Sequence, residues 1–430
     1  MWLSVTPLSR TSSKSCICVR EIKLNRPYGC VVDLTLFQNE HMGALLPIKG
    51  SDALLGDWAH KAFVPAPLPS QSPSLQGKTF LAVADARASL AALDSTARQL
   101  PNPQLLRYPA LQREAQSTSA LEGTYAPLEA VLTADEERPR TPELMEVLNY
   151  VLMANSGFHE VTQGRPISVS FLSSMQGILM QGTPLAEESG RVRQRQVVIG
   201  RRADAPIGGF PVHAARFVPS PPGLSLEASL RDLADWMQTD HAGEIDPVVV
   251  AAMAHYQFET LHPFRDGNGR LGRFLIVLQL LHAGVLTEPT LTVSPWFEAR
   301  RAEYYDRLLA VSTDGDWDGF IAFFARGLQA AADQTLRQMN ELVQVQSELK
   351  DQIRASSIRA DSAHALVDFA VANPSFTAKR ATDALNLSYQ RVNKLIGQLI
   401  EIGVLEQMPE QSYGRRFFAP RVMAALTRGT

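Results

Sequence analysis

The chain has 430 residues, 45% of them hydrophobic and 20% charged, with a formal charge of −3. At roughly 100–200 residues per domain, this length and ordinary composition point to two to four globular domains. The near-neutral balance argues against a protein whose main business is wrapping nucleic acid. The longest apolar stretch, near Phe274–Leu286, is broken by Gln279 and His282 and is too short to cross a bilayer.

The first segment holds all three cysteines, Cys16, Cys18 and Cys30. No disulfide framework is expected, and the cytoplasm is the expected compartment. Cys16 and Cys18 read as incidental rather than as a metal pair. Lys14, Arg20, Lys23 and Arg26 break any secretion-signal pattern. Residues 1–59 read as a disordered or appended segment, and Met42 as an alternative start. The proline-rich stretch Val64–Pro69 closes it.

Helical spacing follows over Lys78–Leu100 and Pro109–Glu122, with Gly123 at the second helix's C-cap position. Further helices are expected over Pro142–Gly157 and Pro166–Gly182. Arg191–Gly200 and Ala214–Val218 are β-prone and flank a loop containing Pro206, Ile207, Gly208 and Gly209, which predicts a β-hairpin inside a helical domain. Helices resume at Leu226–Gln238, Asp246–Leu261 and Gly269–Ala283. Asp246 and Pro247 make a good helix start. Helical sequence then runs from Phe297 to about Ala360.

The informative segment is His262-Pro263-Phe264-Arg265-Asp266-Gly267-Asn268-Gly269-Arg270-Leu271-Gly272-Arg273. It reads as a loop between two helices. Gly267 and Gly269 open backbone conformations closed to other residues, and their amides at a helix start form an anion nest. Arg270 and Arg273 share one face of that first turn. Two cations there oppose the helix dipole and call for an anion such as a polyphosphate. Asp266 offers a hard oxygen for the Mg²⁺ that travels with nucleotides, and His262 is the group that takes a proton near neutral pH. Gly267-x-Gly269-x-x-Gly272 also fits the dinucleotide fingerprint, but that must follow a strand, and Asp246–Leu261 reads as a helix.

This segment resembles the signature of the Fic family, His-x-Phe-x-(Asp/Glu)-Gly-Asn-Gly-Arg-x-x-Arg, at every specified position. The resemblance implies a mainly α fold, a Fic-type helical bundle with a β-hairpin flap. It implies transfer of AMP from ATP onto a hydroxyl of a target protein, with His262 as base and Asp266 holding Mg²⁺. The nest of Gly267, Asn268 and Gly269, with Arg270, Leu271, Gly272 and Arg273, would bind the nucleotide, Arg273 taking the γ-phosphate. A related kinase branch carries lysine at the position of Gly269, so this glycine favours AMP transfer. The segment Arg193–Gly200 is similar to the family's flap, which pairs with an extended target by strand addition. Ile199 and Gly200 would line the site, and Tyr304-Tyr305 resembles a nucleotide-contacting pair. His255 reads as a packed helix residue.

Thr118-Ser119-Ala120-Leu121-Glu122-Gly123 matches the family's inhibitory pattern. Glu122 is expected to pair with Arg273 and deny it to the γ-phosphate, with Thr118 one turn earlier on the same face. The resulting division is 60–150 for the N-terminal helical region with the inhibitory helix and 151–330 for the catalytic domain. A helical linker is expected over 331–360, and a winged helix-turn-helix domain over 361–430. That last domain would expose Tyr389, Gln390, Arg391 and Lys394. The expected partners are a target protein with a Ser, Thr or Tyr hydroxyl, the chain itself as a substrate, and a second copy in a homodimer. No membrane partner is expected. The alternative function is a nucleotide-sensing regulator that binds DNA through 361–430.

Overall fold

The computed structural model describes residues 36–37, 39–99, 104–134, 141–205, 208–358, 361–408 and 415–428. Cys16, Cys18, Cys30, Pro206 and Ile207 lie outside them, as does most of the expected appendage.

The described chain opens with a hairpin, β1 (Gly43–Asp52) and β2 (Gly56–Pro65), antiparallel with Gly43 opposite Pro65. Within the segment expected to be disordered or appended, residues 43–59 thus form part of a hairpin. Its turn is set by Asp52 Oδ1, which accepts from Leu54 N at 2.8 Å and Leu55 N at 3.0 Å. Helices α1 (Gly77–Gln99), α2 (Gln104–Leu121), α3 (Leu128–Leu132), α4 (Pro142–Thr162) and α5 (Val169–Leu179) follow. Thr141 and Ser168 cap the last two, each accepting from the amide three residues on.

The expected flap is shorter than its β-prone sequence: β3 (Ile199–Arg201) pairs with β4 (Ala215–Phe217) across one helical turn, α6 (Pro211–Ala214). Next come α7 (Leu224–Gln238), α8 (Pro247–Leu261) and α9 (Asn268–His282). Every residue of α9 up to Leu280 is buried, as are nearly all of α8. A helix apolar all round belongs in the middle of a domain, so the loop joining α8 to α9 is anchored from both ends.

The helical sequence after Phe297 divides into α10 (Ser294–Ala299), α11 (Arg301–Asp314) and α12 (Trp317–Ala355), broken at Arg300 and at Gly315 with φ +73°. The last, 39 residues long, packs along α1. The C-terminal part comprises α13 (Asp361–Ala372), β5 (Phe376–Thr377), α14 (Ala378–Leu385), α15 (Tyr389–Glu401), β6 (Glu406–Gln407), β7 (Arg416–Phe418) and α16 (Pro420–Thr427). Its three strands form an antiparallel sheet in the order β5-β7-β6. Thr377 and Ser388 cap α14 and α15. The closing helix α16 is an addition to the expected three helices and hairpin.

This C-terminal part sits on the N-terminal helices. α13 packs against α2. Arg113 Nη1 donates to Leu426 O at 3.2 Å, and Arg416 Nη2 to Ala134 O at 3.1 Å. The Arg380 guanidinium lies 5.8 Å from the Tyr108 ring centre. Among the described residues no helix is long and apolar enough to cross a membrane.

Candidate active site

α8 ends on His262, whose backbone is left-handed (φ 49°, ψ 59°). That conformation is costly for a residue with a Cβ and turns the chain sharply out of the helix. The imidazole Nδ1 lies 3.3 Å from Glu259 O. A proton there leaves Nε2 with its lone pair, the arrangement a general base needs. Asn268 locks the loop: its side chain accepts from Phe264 N and donates to Phe264 O, both at 2.8 Å. Gln176 on α5 donates to Asp266 O at 3.1 Å. Gly267, at φ 81°, begins α9 without a side-chain cap, so the first-turn amides remain available to an anion.

Arg270 and Arg273 are each 1% exposed. Two buried guanidiniums at the positive end of a helix need counter-charge. Arg270 reaches Glu146 Oε2 and Asp266 Oδ1, each at 3.3 Å, and its Nε is buried with no hydrogen-bond partner. Arg273 is held by the end of α2. Its Nε donates to Thr118 Oγ1 at 2.7 Å, and its Nη2 to Thr118 O at 3.0 Å and to Glu122 Oε1 at 2.6 Å. Gly123 (φ 90°) stops α2 beneath this contact, with Thr124 N bonded back to Ser119 O at 3.0 Å. A Cβ on Gly269 would overlap Glu122 Oε1 and stand 2.8 Å from its carboxyl carbon. The third residue of the nest therefore has to be glycine for this carboxylate to seat.

Residues 80–159 match the family described as Fic/DOC family N-terminal, and residues 166–280 the one described as Fic/DOC family. The chain carries a Fic domain. Protein adenylyltransferase fic-1 of Caenorhabditis elegans is 35% identical over 144 residues, covering 34% of this chain and 24% of that protein. Protein adenylyltransferase Fic of Drosophila persimilis is 30% identical over 186 residues, covering 41% and 32%. The chain thus spans about a quarter to a third of the length of these curated relatives. Among solved structures, a Fic family protein from Desulfovibrio desulfuricans G20 has a TM-score of 0.49 at 21% identity, covering 81% of this chain and 98% of that one. A fragment of Fic-1 from C. elegans has a TM-score of 0.44 at 24% identity, covering 61% and 72%.

Within the Fic domain, burial is the largest influence on His262, and the nearby Arg193 charge acts the same way. Together they push the imidazole down to about 4, against opposing pulls from Glu122 and Asp266. The ring is neutral at pH 7, as a base must be. Burial alone would raise the Glu122 carboxyl. The Arg273 guanidinium more than offsets that and holds it below the usual range. Arg273 is correspondingly pushed up, burial being outweighed first by Glu122.

The structure brings His262, Asp266, Gly267, Asn268, Gly269, Arg270, Arg273, Thr118 and Glu122 to one place. Ile199 and Gly200 lie in β3, Gly200 at φ 62°. Three other expected nucleotide contacts have different surroundings. Leu271 is fully buried in the core, and its amide bonds Gly267 O at 3.0 Å. Gly272 faces Glu259, whose carboxyl carbon would be 3.1 Å from a Cβ placed there. Tyr304 is fully buried and stacks on Phe297 at 4.9 Å. Its hydroxyl meets His255 Nε2 at 2.7 Å, while His255 Nδ1 meets Gly272 O at 3.0 Å. Tyr305 lies at the edge, its hydroxyl 3.4 Å from Leu121 O at the end of α2.

Two buried carboxyls escape sequence reading. Glu259 is pushed up to about 8, burial outweighing the pull of Arg273, and its Oε1 has no hydrogen-bond partner. Glu114 on α2 is pushed up to about 7, again by burial, and accepts from Ser294 N at 2.9 Å and from Ser294 Oγ. Each stands on a helix face where a charged residue looks unremarkable until the packing is known.

Proposed function

We propose that this protein transfers AMP from ATP to a side-chain hydroxyl of a target protein and that Glu122 holds it in a restrained state. The carrying observation is the pair of buried arginines, Arg270 and Arg273, on an uncapped helix start beside a neutral histidine. That arrangement binds a polyphosphate and supplies a base at its edge. In the step proposed, the target oxygen attacks the α-phosphorus and its proton passes to His262 Nε2. The bond from the α-phosphorus to the bridging oxygen breaks, and pyrophosphate leaves.

Asp266, with its carboxylate 42% exposed, would hold the Mg²⁺ of the nucleotide, together with phosphate oxygens. A single carboxylate plus phosphates is an ordinary Mg²⁺ set, and among the described residues no three His, Cys, Asp or Glu side chains cluster to hold a metal by themselves. Bound there, the ion would neutralise phosphate charge. The first-turn amides and Arg270 would take the inner phosphates and Arg273 the γ-phosphate, which requires Glu122 to leave. The target segment would add to the edge of β3.

We read residues 361–428 as a winged helix, from the helix order and the β5-β7-β6 sheet. The matching family regions end at residue 280, so a DNA-binding regulator gains no support. The absence of cysteine after Cys30 fits a cytoplasmic site of action.

ATP labelled at the α-phosphate, given with Mg²⁺ to the Glu122→Gly protein and a lysate, tests the reaction. Label on protein from α-labelled ATP, and none from γ-labelled ATP, is the expected result. Label from the γ-position alone identifies a kinase instead.

A further inference from the structure

We propose that Arg193 is the positioning residue that fixes the backbone of His262 and couples it to the flap. This rests on the AMP-transfer reading given above. His262 is one of two non-glycine residues with positive φ among the described residues. Such a conformation costs on the order of 1–3 kcal/mol and persists only where its surroundings over-determine it. It also falls at the end of α8, where the last carbonyls have no partner within the helix.

Arg193 supplies those partners. Its Nε donates to His262 O at 2.8 Å, its Nη2 to Leu261 O at 3.5 Å, and its backbone N to Pro263 O at 2.9 Å. Three consecutive carbonyls around the base are thus held by one residue. The same guanidinium fastens the flap. Nη1 donates to Arg195 O at 3.1 Å on the approach to β3, and Nη2 to Ser220 O just past β4. Ser220 Oγ in turn donates to Phe63 O of β2 at 3.3 Å. One side chain therefore joins the strand that faces a target, the returning strand and the base that would deprotonate the target hydroxyl.

The chemistry suits arginine and no other residue. Arg193 is 4% exposed, and among the described residues burial alone shifts its guanidinium, with no carboxylate acting on it. Its donors all go to carbonyls, arranged as only a planar fork can reach. Burial pushes the guanidinium down to about 10, so it stays cationic at neutral pH. A cation at a helix C-terminus is favourable, and here it also stands beside the imidazole. The charged groups acting on His262 are Arg193, Glu122 and Asp266. With Glu122 removed, burial first and the Arg193 charge second keep the base neutral.

Arg193→Lys keeps the charge and loses the fork, whereas Arg193→Gln loses both. The test makes each change in the Glu122→Gly protein and measures transfer and ATP affinity. It also follows the His262 imidazole by NMR titration. Misplacing a catalytic group by about 1 Å costs roughly 100-fold, so kcat should fall about 10- to 100-fold in both variants with the KM for ATP little changed. The imidazole midpoint should rise in the Gln variant and stay in place in the Lys variant. Transfer at the parent rate in either variant, or a midpoint unmoved by Gln, overturns the proposal. An inactive parent would count against the AMP-transfer reading alone, because the NMR titration still decides the role of Arg193.

Discussion

Glu122 and Arg273 meet at 2.6 Å across 151 residues of sequence, over a glycine that has to lack a side chain for them to meet. Glu122 is 20% exposed and Arg273 1%. The carboxylate occupies the guanidinium face that an incoming phosphate would need. Thr118, on the same side of α2, accepts from Arg273 Nε through its hydroxyl and, through its carbonyl, from the same Nη2 that meets Glu122. The pair is a plug made of the same chemistry as the ligand: an oxyanion on a nest.

Glu122→Gly should raise transfer. Breaking a well-formed, partly buried ion pair costs roughly a few kcal/mol, and each 1.4 kcal/mol is about tenfold in population. Incorporation of α-labelled ATP should therefore rise at least about tenfold. Glu122→Gly with Arg273→Ala should return to low activity, because in the reaction proposed here Arg273 takes the γ-phosphate. A single variant no more active than wild type removes the restraint from the account and leaves the transfer reaction standing.

His262→Ala should abolish transfer and leave ATP binding largely intact. The histidine stands at the end of the preceding helix and, in the reaction proposed, takes a proton and holds no phosphate. Loss of a general base typically costs about 10²–10⁴ in rate. Calorimetry and labelling on the same preparation, in the Glu122→Gly background, separate the two effects. A turnover near that of the parent would remove His262 from the reaction.

Stability should depend on pH in two separate windows. Glu114 and Glu259 have folded midpoints of about 7 and about 8, above the ordinary value of 4.5. Between these limits the folded protein holds more protons than the unfolded chain. Stability therefore falls as pH rises through the window and levels off above it. Glu122 is held below 4.5, so its contribution is present above that value and disappears as pH falls through the folded midpoint. His262 and His255, pushed down from 6.5 to about 4 and about 3, add stability as pH rises and offset the carboxyls below about 6.5. Thermal melts between about pH 6.5 and about pH 8.5 should therefore show the decline. Glu259→Gln, which copies the neutral form, should flatten it. An equal slope in the variant would show that Glu259 does not titrate there.

Much of the site was legible because its chemistry lies in a dozen consecutive residues. His262, Asp266, the glycines and the two arginines need only a helix before them and a helix after, and Asp246, Pro247 and the run of apolar residues announce both. The restraint was legible for a similar reason: Thr118, Glu122 and Gly123 sit on one turn and its stop. What escaped depends on contacts remote in sequence. β1 and β2 are built from glycine, proline and mixed polarity, and a twofold pattern never shows. β3 and β4 are each three residues long, and past them the side chains of Gln196 and Arg193 take Pro219 O and Ser220 O where a longer ladder would run. Pro109 read as a helix start and is the sixth residue of α2. Tyr304 resembled a ligand contact, but its ring belongs to the aromatic packing around Phe297 and its hydroxyl to His255.

The side of α2 away from the nest leads to a last prediction. Thr118 and Glu122 reach Arg273, Glu114 accepts from Ser294 at the start of α10, and Arg113 donates to Leu426 O in α16. Tyr108 lies under Arg380, and α13 packs on the same helix. The restraining helix is thus clasped between the Fic domain and the C-terminal module. Arg113→Ala removes a buried charged donor without touching the nest. A hydrogen bond of this kind contributes about 1–2 kcal/mol, roughly a factor of 5–30 in population. Labelling from α-labelled ATP should rise by less than with Glu122→Gly, and amide exchange over 111–121 should quicken. Adding Arg113→Ala to Glu122→Gly should bring no further gain, because a looser helix has no carboxylate left to withdraw. That non-additivity marks two changes acting on one contact. If Arg113→Ala leaves both the exchange of α2 and the labelling as they are in wild type, the C-terminal module does not steady the restraint. A full additive gain in the double variant would show instead that Arg113 acts on transfer by a route that bypasses Glu122.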